Sequence, residues 1–538
     1  MMVSLLLFFF LLFDASSASP SPTLISGSTD ELYGHTRISG FRVLNRRLMG
    51  DCPDPNPYLA INVSSDSMLD DEGNVTVTVS GVIVPDKSDW VAMISPSNSE
   101  VSDCPLVKFM YLQTGDNSSL PLLCHYPVKM RLTWVSGDKS PQKVQYGDGK
   151  SETSAVTTFT QNDMCSGTLA SPAKDFGWHD PGYIHSAVMT GLKPSQSYSY
   201  RYGSDTVGWS GQIKFKTPPS AGSDELRLLA YGDMGKAPLD ESVEHYIQPG
   251  SRSVIEAMAY EVSSGDVDSV FHIGDISYAT GFLVEWDFFL NQITPVASHV
   301  SYMTAIGNHE RDYADSGSVY QTPDSGGECG VAYEKYFPMP TSAIDKPWYS
   351  IEQASVHFTV ISTEHPWEEN SEQYAWIKKD LASVDRARTP WIIFMGHRPM
   401  YSTHSGIFSS DVDPNFVGSV EPLLLDGKVD LALFGHVHNY ERTCAVYQNE
   451  CKGMPSKDKN GVDTYDNNNY TAPVHAIIGM AGFSLDNFPS NAESWSLARI
   501  TEFGYTRIHA TRGDLRVEFV NSNTRQVQDR FHFIKDDN

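Results

Sequence analysis

The chain is poor in cations: 39 Lys and Arg stand against 66 Asp and Glu in 538 residues, a formal charge of −27. So acidic a balance excludes a general binder of nucleic acid or of anionic membranes, and an anionic substrate would need a local cation to hold it. Cysteine is scarce as well. The seven are Cys52, Cys104, Cys124, Cys165, Cys329, Cys444 and Cys451, with no CxxC pair to suggest zinc or redox chemistry. In an oxidising compartment Cys444 and Cys451 would close a local loop, and the odd count leaves a free thiol or an intermolecular bridge. No long apolar segment follows the N-terminal run from Val3 to Phe13, and that run is itself too short to span a bilayer, so no transmembrane anchor is expected in the mature chain. There is no Gly-x-Ser-x-Gly elbow, no P-loop lysine motif, no solenoid repeat and no long low-complexity stretch.

Apolar residues at 40% and aromatics at 11% describe a globular protein long enough for about three domains. The apolar run is followed by the small residues Ala15-Ser16-Ser17-Ala18, so residues 1–18 read as a cleaved secretory signal whose only positive charge is the amino terminus, Arg37 being the first basic residue. An uncleaved anchor or an organelle presequence is the alternative. Secretion, to the extracellular space, cell wall or vacuole, fits the four glycosylation sequons at Asn62, Asn74, Asn117 and Asn469.

From Cys52 to Pro219 the pattern is all-β. Residues 75–79, 130–134 and 197–202 alternate, with turns such as Gly147-Asp148-Gly149 between such runs, which predicts one or two β-sandwiches. Residues 217–222 read as a linker. Beyond it the grammar changes: 227–231 is a short apolar strand, Val254, Ile255, Met258, Ala259 and Val262 recur at helical spacing, and 270–273 is another strand, a βαβ unit. The alternation returns with 356–361, a helix carrying Tyr374, Ile377 and Leu381, and the apolar 391–395, runs that suit a sheet covered on both faces.

Five of these strands end in glycine followed by a potential metal ligand: Gly232-Asp233, Gly274-Asp275, Gly307-Asn308, Gly396-His397 and Gly435-His436. Glycine lets the chain turn sharply as it leaves a strand, and in open α/β sheets the strand end is where sites are built. Carboxylates, an amide oxygen and imidazoles without thiolate point to iron, zinc, manganese or magnesium. His436-Val437-His438 on an extended segment would aim both imidazoles to one side. His272 and His357 lie inside apolar strands and read as hydrogen-bonded core imidazoles; Glu441-Arg442 reads as a structural ion pair.

The ordered blocks Gly232-Asp233-Met234-Gly235, Gly274-Asp275-Ile276-Ser277-Tyr278, Gly307-Asn308-His309-Glu310, Phe394-Met395-Gly396-His397 and Gly435-His436-Val437-His438 resemble the dinuclear metallophosphoesterases. The resemblance is nearest to the large plant purple acid phosphatases, and among them to those described as nucleotide pyrophosphatase/phosphodiesterases. From about residue 125 onward it implies a fibronectin-like domain at 121–218 and an α/β catalytic domain at 219–538 with a central double β-sheet flanked by helices and a C-terminal β region; with a β-rich extension at 19–120 before them, the chain is expected to be α+β multidomain. By the same resemblance Asp233, Asp275, Tyr278 and His438 would hold Fe(III), and Asn308, His397, His436 and the shared Asp275 a divalent zinc, manganese or iron. Tyr278 would give the purple colour, since a phenol needs a strong Lewis acid to bind as phenolate at low pH. The block starting at Phe394 departs from the family's Val-x-x-His, which bears on pocket shape.

Two adjacent cations bind a phosphate ester, lower the pKa of a bound water and stabilise in-line displacement. The resemblance therefore implies an acid phosphatase that hydrolyses phosphomonoesters by metal-bound hydroxide, with His309 and His404 as the family's phosphate-contacting or proton-transferring histidines. Nucleotide pyrophosphatase/phosphodiesterase activity is the alternative, decided by loops at 310–330 and 398–420, and a non-catalytic binding protein on the same scaffold is a third reading. Iron-based plant members often form dimers, so a homodimer is also among the expectations.

Overall fold

The computed structural model describes residues 129–238, 247–404 and 411–536, and before residue 129 only the backbone of short strands. Of the expected signal at 1–18 only the backbone of Phe9–Leu11 is described and of Asn62 only its place in the strand Ala60–Val63, while Asn74, Asn117 and the side chains of the extension at 19–120 lie outside the described residues. Asn117–Ala237 and Gln248–Asn538 form one compact unit, which holds everything described below. Among the described residues no helix is long and apolar enough to cross a membrane.

The alternation at 130–134 becomes the strand Lys129–Ser136, paired antiparallel with Tyr183–Thr190, and Ser197–Ser204 pairs with Lys143–Tyr146 in a second sheet. Inward residues Leu132, Trp134, Val144, Met189, Tyr200 and Tyr202 form the core of this fibronectin-like sandwich. Tyr200 also donates its hydroxyl to the Ser298 carbonyl at 3.0 Å, and the disulfide Cys165–Cys329 joins a sandwich loop to the α/β domain.

The α/β domain that follows the sandwich holds two eight-stranded sheets. In the first, Leu226–Tyr231, Ser269–Ile273 and Ser301–Ala305 run parallel, and Leu226–Tyr231 is flanked on its other side by the antiparallel Gly504–Ala510, which begins a C-terminal meander. In the second, Val356–Val360, Trp391–Met395, Leu431–Phe434 and Val474–Ile478 are parallel neighbours. Successive side chains of a strand face opposite ways. Accordingly Ile393 and Met395 join the core shared with the first sheet, while Ile392 and Phe394 pack in a second cluster with Ile377 and Leu381 of the helix Glu372–Ser383 and Val420 and Leu424 of the helix Pro414–Asp426. Phe394 is therefore core packing.

Other expectations are refined. His357 is buried, with Nε2 3.1 Å from the Asp380 carboxylate. Glu441 and Arg442 do not pair with each other. As neighbours on the strand Tyr440–Tyr447 they point to opposite faces: Glu441 accepts from the Thr403 amide at 2.9 Å, whereas Arg442 meets Asp529 at 2.7 Å and Asp463 at 2.9 Å. Cys444 and Cys451 form a disulfide.

Candidate metal centre

Each of the five glycine blocks leaves the carboxyl end of a strand, three from the first sheet and two from the second. The backbone bends hard there. Asp233 (φ 61°), Asp275 (φ 49°), Tyr278 (φ 51°) and His436 (φ 69°) all sit in the left-handed region. Non-glycine residues adopt it at a cost that surrounding structure must offset, and such residues cluster at functional sites. The glycines allow the blocks to interlock: a side chain on Gly274, itself at φ 86°, would collide with the His397 ring, and one on Gly435 with the Asp233 carboxylate.

The structure brings all seven expected donors together. Asp275, His397 and His436 form one group and Asp233, Asp275 and His438 another, the ligand atoms within each lying within 4.8 Å of one another, so Asp275 belongs to both. Asn308 Oδ1 completes the first group, 2.9 Å from His397 Nε2 and 3.0 Å from His436 Nδ1. The Tyr278 hydroxyl completes the second, 3.3 Å from Asp233 Oδ1 and 3.1 Å from His438 Nε2. The two histidines of the His-x-His pair thus serve different groups. The segment is not extended, since the positive φ at His436 breaks the period-two geometry, yet both rings reach the site that shares Asp275.

Charge in this cluster is balanced internally. Burial and the Asp275 charge push the Asp233 carboxyl well above its ordinary range, against the pull of His397. Burial opposes ionisation of Asp275 too, but His397, His309 and His436 outweigh it and hold that carboxyl well below the usual value. His397, despite burial, is pushed up to about 10 by Asp275 and Asp233. Burial, with Arg398 and His397, drives His436 well below its ordinary value, and burial brings His438 to about 4, leaving both neutral, the form that coordinates metal. Burial and the Asp275 and Asp233 charges raise the Tyr278 phenol. Two carboxylates, a phenol, an amide oxygen and three imidazoles, with a single imidazolium as counter-charge, fit a pair of cations that take over that proton's role.

His309 stands beside the donors, 19% exposed, with its amide on Asp275 Oδ1 at 3.0 Å and its ring 4.6 Å from that of Tyr278. His404 is not drawn into the cluster: its Nδ1 meets Asp411 at 2.7 Å. Further residues contribute that the sequence reading did not assign. Glu310 accepts from the Asp275, Ile276 and Gly307 amides and so knits two blocks together. Arg398 directs Nη1 at His436 Nε2 (3.0 Å), is clamped by Glu364 and Asp312 at 3.0 and 2.9 Å, and lies 4.0 Å over the Tyr320 ring. Asp486 accepts from the His438 amide at 2.9 Å, and Phe483 packs on Tyr278. Arg398 had a signal in its place next to His397; Asp486 and Phe483 had none.

Fold and donor geometry together define a dinuclear metallophosphoesterase, and residues 226–440 match the Calcineurin-like phosphoesterase family. Residues 124–217 match the N-terminal domain of purple acid phosphatases, 61–169 their Fn3-like domain, and 472–530 the C-terminal iron/zinc purple acid phosphatase-like family. The chain is 39% identical over 425 residues to a "Probable inactive purple acid phosphatase 27" of Arabidopsis thaliana, covering 76% of this chain and 67% of that one. It is 36% identical over 337 residues to a nucleotide pyrophosphatase/phosphodiesterase of Hordeum vulgare, covering 62% and 89%. The purple acid phosphatase from yellow lupin seeds superposes with a TM-score of 0.75 at 32% identity, covering 93% of this chain and 91% of that one. The chain belongs to the purple acid phosphatase family.

Proposed function

We propose that this chain is an active hydrolase of phosphomonoesters working at acid pH. The observation that carries the reading is the convergence of five donors into two groups sharing Asp275, with Asn308 and Tyr278 in contact with one group each. Asp233, Asp275, Tyr278 and His438 would hold Fe(III), and Asn308, His397, His436 and Asp275 a divalent zinc, manganese or iron. Bound there, the pair supplies Lewis acidity toward a phosphate oxygen and lowers the pKa of water. The protein's own groups do the rest. The Asp324 carbonyl can only accept, so the 3.1 Å contact places a proton on His309 Nδ1; a second proton carried on Nε2 would let the ring donate to a phosphate oxygen or pass that proton to the leaving group. His404, held by Asp411, would act from the rim.

Relatives at 38–39% identity carry the words "probable inactive" in their names. The filled donor set supports activity in this chain. A second reading, cleavage of nucleotide diphosphate or diester bonds, draws on the likeness to the barley enzyme. Turnover of a simple monoester and of a bis-ester under identical conditions separates the two: a strong diester preference overturns the first, and absence of both activities in metal-replete protein leaves a binding role.

Secretion is part of the proposal, supported by the apolar N-terminal run and by the disulfides Cys165–Cys329 and Cys444–Cys451, which persist in oxidising compartments. Asn469 is exposed in a short 3-10 turn and open to glycosylation. A mobility shift on deglycosylation is expected; an intact, unmodified N-terminus would count against it.

A further inference from the structure

Asp324 lies in the loop between the short helix Asn308–Arg311 and the helix Val331–Tyr336, outside every motif that identifies the site. Its Oδ2 accepts from Asn308 Nδ2 at 3.0 Å and from the Thr322 hydroxyl at 2.7 Å, and its main-chain oxygen accepts from His309 Nδ1 at 3.1 Å. A carboxamide presents a donor on one side and an acceptor on the other, and a carboxylate can only accept. Asp324 therefore holds the NH2 end of Asn308 and turns Oδ1 the opposite way, toward His397 Nε2 and His436 Nδ1. Flipped by half a turn, the amide would aim two N–H bonds at the place a cation must occupy.

We infer that Asp324 is a positioning residue that selects the one orientation of Asn308 able to bind the divalent metal, while its carbonyl fixes the His309 tautomer. The loop is anchored for this purpose. Next to Asp324, Ala173 N donates to Gly326 O at 3.0 Å and Cys165 N to Gly327 O at 2.9 Å. Glu328 accepts from Gly281 N at 2.8 Å and Trp286 Nε1 at 2.7 Å, and Cys329 is bonded to Cys165. The segment is thus pinned both to the sandwich loop and to the loop that follows Tyr278. The Asp324 carboxylate itself meets Asn308 and Thr322, and none of its hydrogen bonds reaches Asp233, Tyr278 or His438. Its removal should therefore affect one metal and spare the other.

The inference rests on the dinuclear reading, and the test separates the two. Zinc is titrated into iron-loaded protein, wild type and variants, with metal content and the visible spectrum recorded on the same samples. Asp324→Ala is expected to keep iron and the purple band but lose about 10- to 100-fold in zinc affinity, as when a partner of a metal ligand is removed. Asp324→Asn, whose amide oxygen still accepts from Asn308, should stay within about threefold of wild type. Thr322→Ala, at an exposed position, should lose a smaller factor and decides the matter if Asp324→Ala does not fold. Unchanged zinc affinity in Asp324→Ala, or in Thr322→Ala where that variant decides, overturns the inference, as does an Asn variant as impaired as the Ala variant or equal loss of the purple band. A wild-type protein that takes up fewer than two metals overturns the dinuclear reading itself and the inference with it.

Discussion

The ring of Phe483 lies nearly parallel on that of Tyr278, 4.7 Å between centroids and 25° between planes, and touches the His438 ring at 4.6 Å. One hydrophobic side chain thus packs on both the phenol and an imidazole of the proposed ferric group, limiting their rotation and excluding water. Tyr278→Phe should abolish the visible band. Phe483→Leu should shift it while leaving the iron content unchanged. A spectrum unaltered in Tyr278→Phe would remove the phenolate assignment.

His397 belongs to the group that shares Asp275, and its ring is fully buried. His397→Ala should empty the divalent position and lower turnover by at least about a hundredfold, because loss of a mere partner of such a ligand already costs about 10- to 100-fold in affinity or activity. Metal analysis should show iron retained and the divalent metal missing. Undiminished hydrolysis would refute the donor assignment.

His475 is buried in the strand Val474–Ile478, stacked on Phe434, with neither ring nitrogen hydrogen-bonded; burial holds its pKa at about 3, below the ordinary 6.5. The unfolded chain therefore binds a proton at acid pH that the folded chain refuses. The stability this neutral histidine allows is complete above about pH 6.5 and is lost as pH falls from there toward 3. At pH 5 the loss is about 2 kcal/mol. In metal-saturated protein His475→Leu should lose less stability between pH 7.5 and 5 than wild type by about that amount, read as the shift in denaturant midpoint. An identical pH dependence would show that the site is hydrated or relaxes.

Arg442 is almost fully buried and ties the strand Tyr440–Tyr447 to Asp529 and Asp463, with its guanidinium 4.7 Å over Phe531. Removing one partner of a buried pair strands the other charge. Arg442→Met should cost about 3–5 kcal/mol in a denaturation experiment. Kinetic constants of the protein that remains folded should stay close to wild type, since the contacts of Arg442 are structural.

Much of the site was written in the chain itself. A metal ligand placed next to a glycine at a strand end leaves a contiguous trace, and five apolar strands each followed by Gly-Asp, Gly-Asn or Gly-His announced Asp233, Asp275, Asn308, His397 and His436 before any fold was known. The parallel strands, their covering helices and the β-sandwich followed from periodicity, because one buried face or two is a property of consecutive residues, whereas the fibronectin-like character of the sandwich was implied by the family resemblance. Other features depend on residues far apart in sequence. Asp324 acquires meaning from the amide end of Asn308, Arg398 from the ring of His436 38 positions away, and Phe483 from Tyr278. The extended reading of His436-Val437-His438 failed at His436, whose positive φ goes with amide hydrogen bonds to the Asp233 carboxylate 203 positions away. Sequence alone therefore determined which ligand chemistry the protein carries and which strands present it, since both are encoded in short windows. The division of the donors into two groups was implied by the family resemblance; only the tertiary structure decided which end of Asn308 faces them and what buries Tyr278, since hydrogen bonds and ring contacts form between chain segments that only folding brings within reach.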